Sequence, residues 1–294
     1  MIKILLSTAS LYLLSHKKVF SIAKDVGFDG LELVIDSNCL KGGIDKGIFK
    51  LNNLINHYNL PIYTVHQPLF IFFRRLGVKR AIKLSFDVAR KLQSELVTIH
   101  IPLFLIPDNS SPLRDNYSRQ FLKAISEIRN VSFKGSAKAL KTLIKSDNSN
   151  EHFLNSNLKP KIALETVLDR KVNLGKRHFA DPKVLIDYVL KQNLFITFDT
   201  THHGLRKYSI EDSYDILKSR VINIHLSNTR RRKHEPPYLG KIPLKEFLKF
   251  IIKNGYNNFL TLEISPIALN IWSKRRVKDR LKRSIDFCKK YTDK

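Results

Sequence analysis

Short apolar runs recur along the chain at 2–6, 30–35, 61–65, 95–101, 161–164, 194–198, 221–226 and 259–264. Many are rich in Ile, Val, Leu, Phe and Thr, as strands buried on both faces of a parallel sheet are. Between them lie longer segments with helical periodicity, at 16–26, 45–58, 78–92, 117–145, 182–191, 243–254 and 273–291. Strand and helix thus alternate from end to end. Eight strands in 294 residues leave about 37 residues per unit, the size of a strand with its returning helix. Eight such units close into an α/β fold, a single (β/α)8 TIM barrel, whose active site is expected at the C-terminal face of the strands.

No linker divides the chain, so residues 1–294 read as one barrel domain. The most polar stretch, SDNSNEHFLNSNLKP (146–160), interrupts a strand–helix unit and reads as an excursion loop. A doubly wound, two-domain alternative would want a Gly-rich fingerprint after a strand. No G-x-G-x-x-G or Walker loop occurs, and the chain has only 11 glycines. With 43% apolar residues, the chain can bury a large core, which excludes a disordered protein. The run ILLSTASLYLL (4–14) imitates a short signal peptide, but one basic residue precedes it and no small-x-small cleavage site follows. It reads instead as the first buried strand. No apolar stretch reaches membrane-spanning length. Two cysteines, Cys39 and Cys288, cannot make a disulfide framework, and neither belongs to a Cys-x-x-Cys pair. The expected setting is reducing and cytoplasmic.

Charge adds a second theme. Lys and Arg number 52 against 26 Asp and Glu, a net charge of +26. Such a surface favours polyanions, nucleic acid among them, or phosphorylated small molecules. Lysines outnumber arginines by about two to one, and Arg is the better phosphate fork, so a compositional bias explains the excess more simply. The C-terminal segment WSKRRVKDRLKRSIDFCKKYTDK carries ten basic and three acidic residues. Its apolar positions Val277, Leu281, Ile285 and Cys288 keep helical spacing, which predicts an outer helix with a solvated basic face.

The chemistry lies at the strand ends. Strand two ends at Glu32, strand three at His66, strand four at His100, strand five at Glu165, and strand six at Asp199 with His202 and His203 just beyond. Strand seven ends at His225 and strand eight at Glu263. One such residue is ordinarily a hydrogen-bonded rim group. Seven strands ending this way converge on one mouth, where burying acids and imidazoles costs free energy unless a cation compensates. Imidazole plus carboxylate, without thiolate, suits Zn or Mn, and also Fe or Co, better than Mg or Ca. One to three ions are expected.

These residues carry a resemblance. VGFDGLEL (26–33), TVHQP and TIHIP around His66 and His100, ITFDTTHHG around Asp199, HLSN (225–228), His234 and LGKIPLKEFLKFIIKNGYNNFLTLEISP (239–266) resemble the xylose-isomerase-like barrel superfamily. That superfamily holds sugar phosphate isomerases and epimerases together with endonuclease IV-type enzymes. For an isomerase or epimerase of a sugar or sugar phosphate, the resemblance implies that Glu165, Asp199, His225 and Glu263 hold one divalent cation. Glu165 and Glu263 would then act as base and acid, and His202 and Arg231 would bind substrate oxygens. For an endonuclease IV-like phosphodiesterase acting on abasic-site DNA, it implies a second ion on His66, His100 and Glu165, and a third helped by His202 and His234. Barrels of this kind commonly pair, which admits a homo-oligomer, and the sequence leaves the oligomeric state open.

Departures from the nuclease pattern favour the sugar reading. Arg232 stands two before His234, where the nuclease loop has Asp, and the loop from His225 to His234 is shorter. HQPLFIFF lacks the nuclease's His-x-Pro-Tyr pattern, and no DNA-penetrating loop is recognisable after strand one. Smaller signals have plainer readings. Glu32 is expected to salt-bridge a neighbouring strand end rather than touch substrate, and the D-x-x-H spacing selects His202 over His203. His16, His57, His152 and His178 are expected to face solvent. Phe70 or Trp272 would wall a substrate pocket or, as aromatic residues more often do, simply pack, and Phe72, Phe73, Arg74 and Arg75 would stack a base, cover a sugar, form a short lid or begin a helix.

Overall fold

Eight strands form where the apolar runs stand. They are β1 Lys3–Ser7, β2 Gly30–Val34, β3 Ile62–His66, β4 Leu96–His100, β5 Lys161–Glu165, β6 Phe195–Asp199, β7 Val221–Leu226 and β8 Phe259–Leu262. Each pairs in parallel with the next, and β8 returns to β1, so the sheet is a closed barrel. The computed structural model describes residues 1–68, 77–101, 120–128, 159–167, 179–204, 209–230 and 234–292.

Side chains alternate across a strand, which gives the barrel interior three levels. Leu5, Leu96, Ala163 and Phe259 pack together at the lower end, with Tyr63 and Phe195 against them. Two residues further along their strands stand Thr98, Thr197 and Thr261, level with Glu32, Thr64 and Asn223, all fully buried. Bonds across the barrel show that this level faces inward: Thr98 and Thr197 hydroxyls lie 2.9 Å apart from β4 to β6, and Asn223 on β7 donates to Glu32 on β2 at 3.2 Å. Two residues beyond on β6, β7 and β8 come Asp199, His225 and Glu263, at the mouth, and Glu165, two residues after Ala163 on β5, joins them there. Register shifts at Leu31/Glu32 and Ile196/Thr197 interrupt the β2–β3 and β6–β7 ladders. Such irregularities re-aim side chains near functional sites.

The helices cover the outside. In chain order they are α1 His16–Val26, α2 Ser37–Leu40, α3 Ile44–Tyr58, α4 Val78–Lys91, a helical stretch α5 at 120–128, α6 Pro182–Lys191, α7 Thr200–Gly204, α8 Ile210–Leu217, α9 Leu244–Lys253, α10 Pro266–Leu269 and α11 Lys274–Thr292. Gly27, in the left-handed region at φ 93°, ends α1, a conformation that glycine adopts at least cost. Asp181 caps α6 with Pro182 at its first turn, and Ser209 caps α8. In α9, Leu244, Phe247, Leu248 and Ile251 form the buried stripe. In α11, Val277, Leu281, Ile285 and Cys288 are buried, as the spacing predicts, while Lys278 pairs with Asp25 and Lys282 with Asp286. Among the described residues, no helix is long and apolar enough to cross a membrane.

Two expectations need correction. Trp272 is 76% exposed, open to solvent and enclosed in no pocket wall among the described residues. His16 does not face solvent: its side chain is 14% exposed and lies 3.5 Å from Asp36, because parallel pairing of β1 and β2 brings the connections after them together. His57 is exposed, as expected. Phe70, Phe72, Phe73, Arg74, Arg75, His152 and His178 lie outside the described residues, as does most of the 146–160 loop.

Phe247 is fully buried with its ring against Phe198 and Tyr214. Phe247→Ala should lower unfolding free energy by about 3–5 kcal/mol, measured by denaturant titration. A loss below about 1 kcal/mol would contradict this packing.

Candidate metal centre

Six strand ends bring their polar side chains to the mouth, while Glu32, expected to end strand two, lies one level deeper because β2 runs on to Val34. Glu165, Asp199, His225 and Glu263 each present one donor atom within 4.8 Å of the others. His225 Nδ1 lies 3.0 Å from Glu263 Oε2 and 3.5 Å from Glu165 Oε1. Glu165, Asp199 and His225 are buried, and Glu263 is 23% exposed. A second group shares Glu165. His66 Nε2, His100 Nε2 and Glu165 Oε2 stand 3.0, 3.1 and 2.6 Å apart pairwise, with His100 half exposed at the rim. A third group shares Asp199, with His202 and His234. The residues selected from the sequence therefore adjoin one another, except Arg231, which lies outside the described residues together with Arg232.

The second contacts of the imidazoles fix which nitrogen is free. A carbonyl can only accept, so His66 Nδ1–H donates to Gln67 O at 2.8 Å and His202 Nδ1–H donates to Thr166 O at 2.7 Å. His66 Nε2 is left toward His100 and Glu165, while His202 Nδ1 also lies 3.7 Å from Glu165 Oε1 and from Asp199 Oδ2. His225 is reversed. Its Nε2–H faces both oxygens of Glu32 at 3.1 Å, which leaves Nδ1 toward the carboxylates. Glu32 is held in turn by the Thr64 hydroxyl at 3.0 Å and Asn223 Nδ2 at 3.2 Å, and Asn223 accepts from Thr261 at 2.8 Å. This carboxylate–imidazole arrangement is the outer support that metal-binding histidines use.

Sequence reasoning placed Glu32 in a salt bridge with a neighbouring strand end; it makes one, but across the barrel, to His225 on β7. It did not find Thr64, Asn223 or Thr261, whose partners lie up to 191 residues away. Nor did it find Thr166, whose hydroxyl accepts from Asp199 N–H, or Ser227, which meets His234 Nδ1 at 3.0 Å. Short polar residues inside apolar runs were the available signal. His203 is turned away, stacked on Phe198 at 4.2 Å.

The fit to a cation rests on the donor atoms. Asp199 Oδ2 is buried in the cluster and finds no hydrogen-bond partner among the described residues, and His225 Nδ1 faces only carboxylate oxygens. Four donors about 2.0–2.2 Å from a tetrahedral ion stand roughly 3.3 Å apart, close to the 3.0 and 3.5 Å around His225. The residues present can hold a divalent ion. Without one, protons take its place. Burial pushes the His225 pKa down, but Glu32, Glu263 and Glu165 raise it well above its usual range. His66 is raised likewise, against burial, mainly by Glu165. Burial pushes Glu165 and Glu263 up, but His100, His225 and His66 pull Glu165 well below the usual range, and His225 and His234 pull Glu263 down to about 2.

The sign of the pH effect follows. In chelator-stripped protein, the raised imidazoles contribute stability that is complete below their unfolded value of 6.5 and is lost as pH rises through their folded values. The lowered carboxyls contribute above 4.5 and lose their contribution as pH falls toward about 2. Thermal stability should therefore plateau between these limits. His225→Gln should weaken the alkaline decline in a melting series, and an undiminished decline would contradict the assignment.

The fold and site can now be set beside known proteins. D-psicose 3-epimerase from Clostridium cellulolyticum H10 superposes with a TM-score of 0.65 at 15% identity, covering 100% of both chains. An AP endonuclease, family 2, from Brucella melitensis superposes with a TM-score of 0.62 at 11% identity, covering 90% of this chain and 94% of that one. At these identities the likeness is one of fold. An uncharacterized protein of Mycobacterium tuberculosis is 33% identical over 104 residues, 34% of this chain and 36% of its own length, so the match spans about a third of that relative. The sequence profile of one family matches residues 20–291, which takes in β2 to β8 and leaves out β1, and the chain belongs to that family, the xylose isomerase-like TIM barrels.

Proposed function

We propose that the protein is a divalent-metal-dependent isomerase or epimerase of a sugar or sugar phosphate. One observation carries the reading: the carboxylates of Glu165 and Glu263, from β5 and the end of β8, approach the same nitrogen, His225 Nδ1, with Asp199 completing the group. Zn or Mn held by these four residues would polarise a substrate carbonyl and acidify the adjacent C–H. Two carboxylates flanking that carbon suit removal and return of its proton. Both are held in the ionised form near neutral pH. Glu165, ionised, takes the proton at one face as base, and Glu263, after taking up a proton from solvent, returns one at the other face as acid. His202 offers Nε2 to a substrate hydroxyl, and Arg231 meets a further hydroxyl or a phosphate. The proposal takes residues 1–294 as one barrel domain, homo-oligomeric, in the cytoplasm, where free cysteines such as Cys39 and Cys288 persist.

The group formed by His66, His100 and Glu165 favours a second reading, hydrolysis of a phosphodiester in abasic-site DNA. Glu165 belongs to two donor groups and Asp199 to two. Adjacent cations sharing carboxylates suit in-line displacement at phosphorus, and a net charge of +26 suits a polyanion.

Two assays on metal-loaded protein separate these readings. The first follows exchange of solvent deuterium into the carbon beside the carbonyl of ketoses and sugar phosphates. The second follows nicking of abasic-site duplex DNA. The sugar reading predicts exchange without nicking, lowered about 10²–10⁴-fold in Glu165→Gln and Glu263→Gln. Nicking without exchange would replace it with the second reading. Glu32→Gln, which removes the charge behind His225, should weaken metal binding about 10–100-fold by competitive chelator titration. Unchanged affinity would show that Glu32 does not support the ligand.

A further inference from the structure

One titratable cluster lies outside the strand-end site. His16 opens α1, Asp36 immediately precedes α2, and Cys39 lies within α2. Parallel pairing of β1 with β2 sets the two connections side by side. Asp36 Oδ1 accepts the Cys39 backbone N–H at 2.9 Å, which fixes the start of α2. From α1, His16 Nε2 reaches within 3.5 Å of the same oxygen and 3.9 Å of Cys39 Sγ. One donor atom from each residue falls within 4.8 Å of the other two. Cys39 is 5% exposed, and the side chains of His16 and Asp36 are 14% and 16% exposed, so the cluster is shielded yet reachable.

The chemistry of this set differs from that at the strand ends, because it contains sulfur. A tetrahedral zinc ion, about 2.0–2.1 Å from nitrogen and oxygen and about 2.3 Å from sulfur, holds N···O pairs roughly 3.3 Å apart and N···S pairs roughly 3.6 Å apart. The observed 3.5 and 3.9 Å need only a slight contraction. A cysteine beside a histidine also raises the thought of a nucleophile. Burial, reinforced by the Asp36 charge, pushes the Cys39 thiol well above its usual range, and a protonated thiol is a poor nucleophile. Burial pushes Asp36 up as well, but His16 and the Cys39 N–H hold it down at about 2. An anionic carboxylate, an imidazole and a thiol whose proton a cation can displace make a metal-competent trio.

We propose that His16, Asp36 and Cys39 form a separate cation site of the zinc type, with three protein ligands and a fourth position for water. On binding, the thiol proton leaves to solvent and the sulfur bonds the ion. Two anionic ligands then neutralise the divalent charge. Thiolate selects Zn or Co over Mn or Mg. The ion would clip the start of α1 to α2, joining the connections after β1 and β2. The site uses no residue of the strand-end centre, so it stands or falls independently of the proposed reaction.

Cobalt substitution tests it in the full-length protein. Thiolate bound to Co(II) gives a near-ultraviolet charge-transfer absorption, to which a centre of carboxylates and imidazoles does not contribute. Chelator-stripped protein titrated with Co(II) should gain this band. Cys39→Ser should abolish it and lower bound zinc by one equivalent, and His16→Gln should weaken it. Glu165→Gln, and Cys288→Ser at the other buried cysteine, should keep it. Absence of the band at saturating Co(II), or its survival in Cys39→Ser, would overturn the site. If Cys39→Ser does not fold, His16→Gln decides: an undiminished band and unchanged zinc content overturn the proposal.

Discussion

Inside the barrel, with no exposed surface on either side chain, the carboxylate of Glu32 faces the imidazole of His225 at 3.1 Å. Taking each charge out of water costs several kcal/mol, and the attraction between them offsets this only when the remaining polar atoms are also satisfied. Thr64 and Asn223 supply those contacts to Glu32, and Thr261 supports Asn223. The pair thereby fixes the imidazole's orientation and proton. With Nε2–H committed to Glu32, Nδ1 faces Glu165, Glu263 and Asp199. The donor group at the mouth depends on this constraint, and the constraint depends on barrel closure, since β2 and β7 are not neighbours in the sheet.

Much of this was legible in the sequence. Strands buried on both faces appear as apolar runs whatever their neighbours, and the observed strands fall within those runs or end one residue beyond. The acids and imidazoles at their ends were visible because they break an apolar run abruptly. The polar level beneath them was harder to read. Thr64, Asn223 and Thr261 look like ordinary strand residues until the barrel closes and brings β2 opposite β7. His16 was misread for the same reason. Its helix alone gives it a solvent-facing position, and only the pairing of β1 with β2 puts Asp36 and Cys39 beside it. Arg231 belongs to a connection outside the described residues, so the substrate-binding role expected of it rests on sequence alone.

The two readings of the reaction share one set of donors and differ in how many cations that set holds. Glu165 joins the group around His225 to the group around His66 and His100, and Asp199 joins the first group to His202 and His234. A single ion on Glu165, Asp199, His225 and Glu263 leaves the two carboxylates of Glu165 and Glu263 available for proton transfer. Filling the neighbouring groups commits Glu165 to bridging and moves the chemistry toward phosphate. Basic charge does not decide between them, because a phosphorylated sugar and DNA both present anions to the same mouth.

The central claim is that the buried acids and imidazoles at the strand ends form a cation site. Anomalous scattering from crystals grown with Mn(II), recorded on both sides of the manganese absorption edge, tests it most directly. The account predicts a peak bounded by Glu165, Asp199, His225 and Glu263, at about 2.0–2.2 Å from one donor atom of each. Fully ordered side chains at these four positions with no anomalous peak between them, at saturating Mn(II) and again at saturating Zn(II), would contradict it.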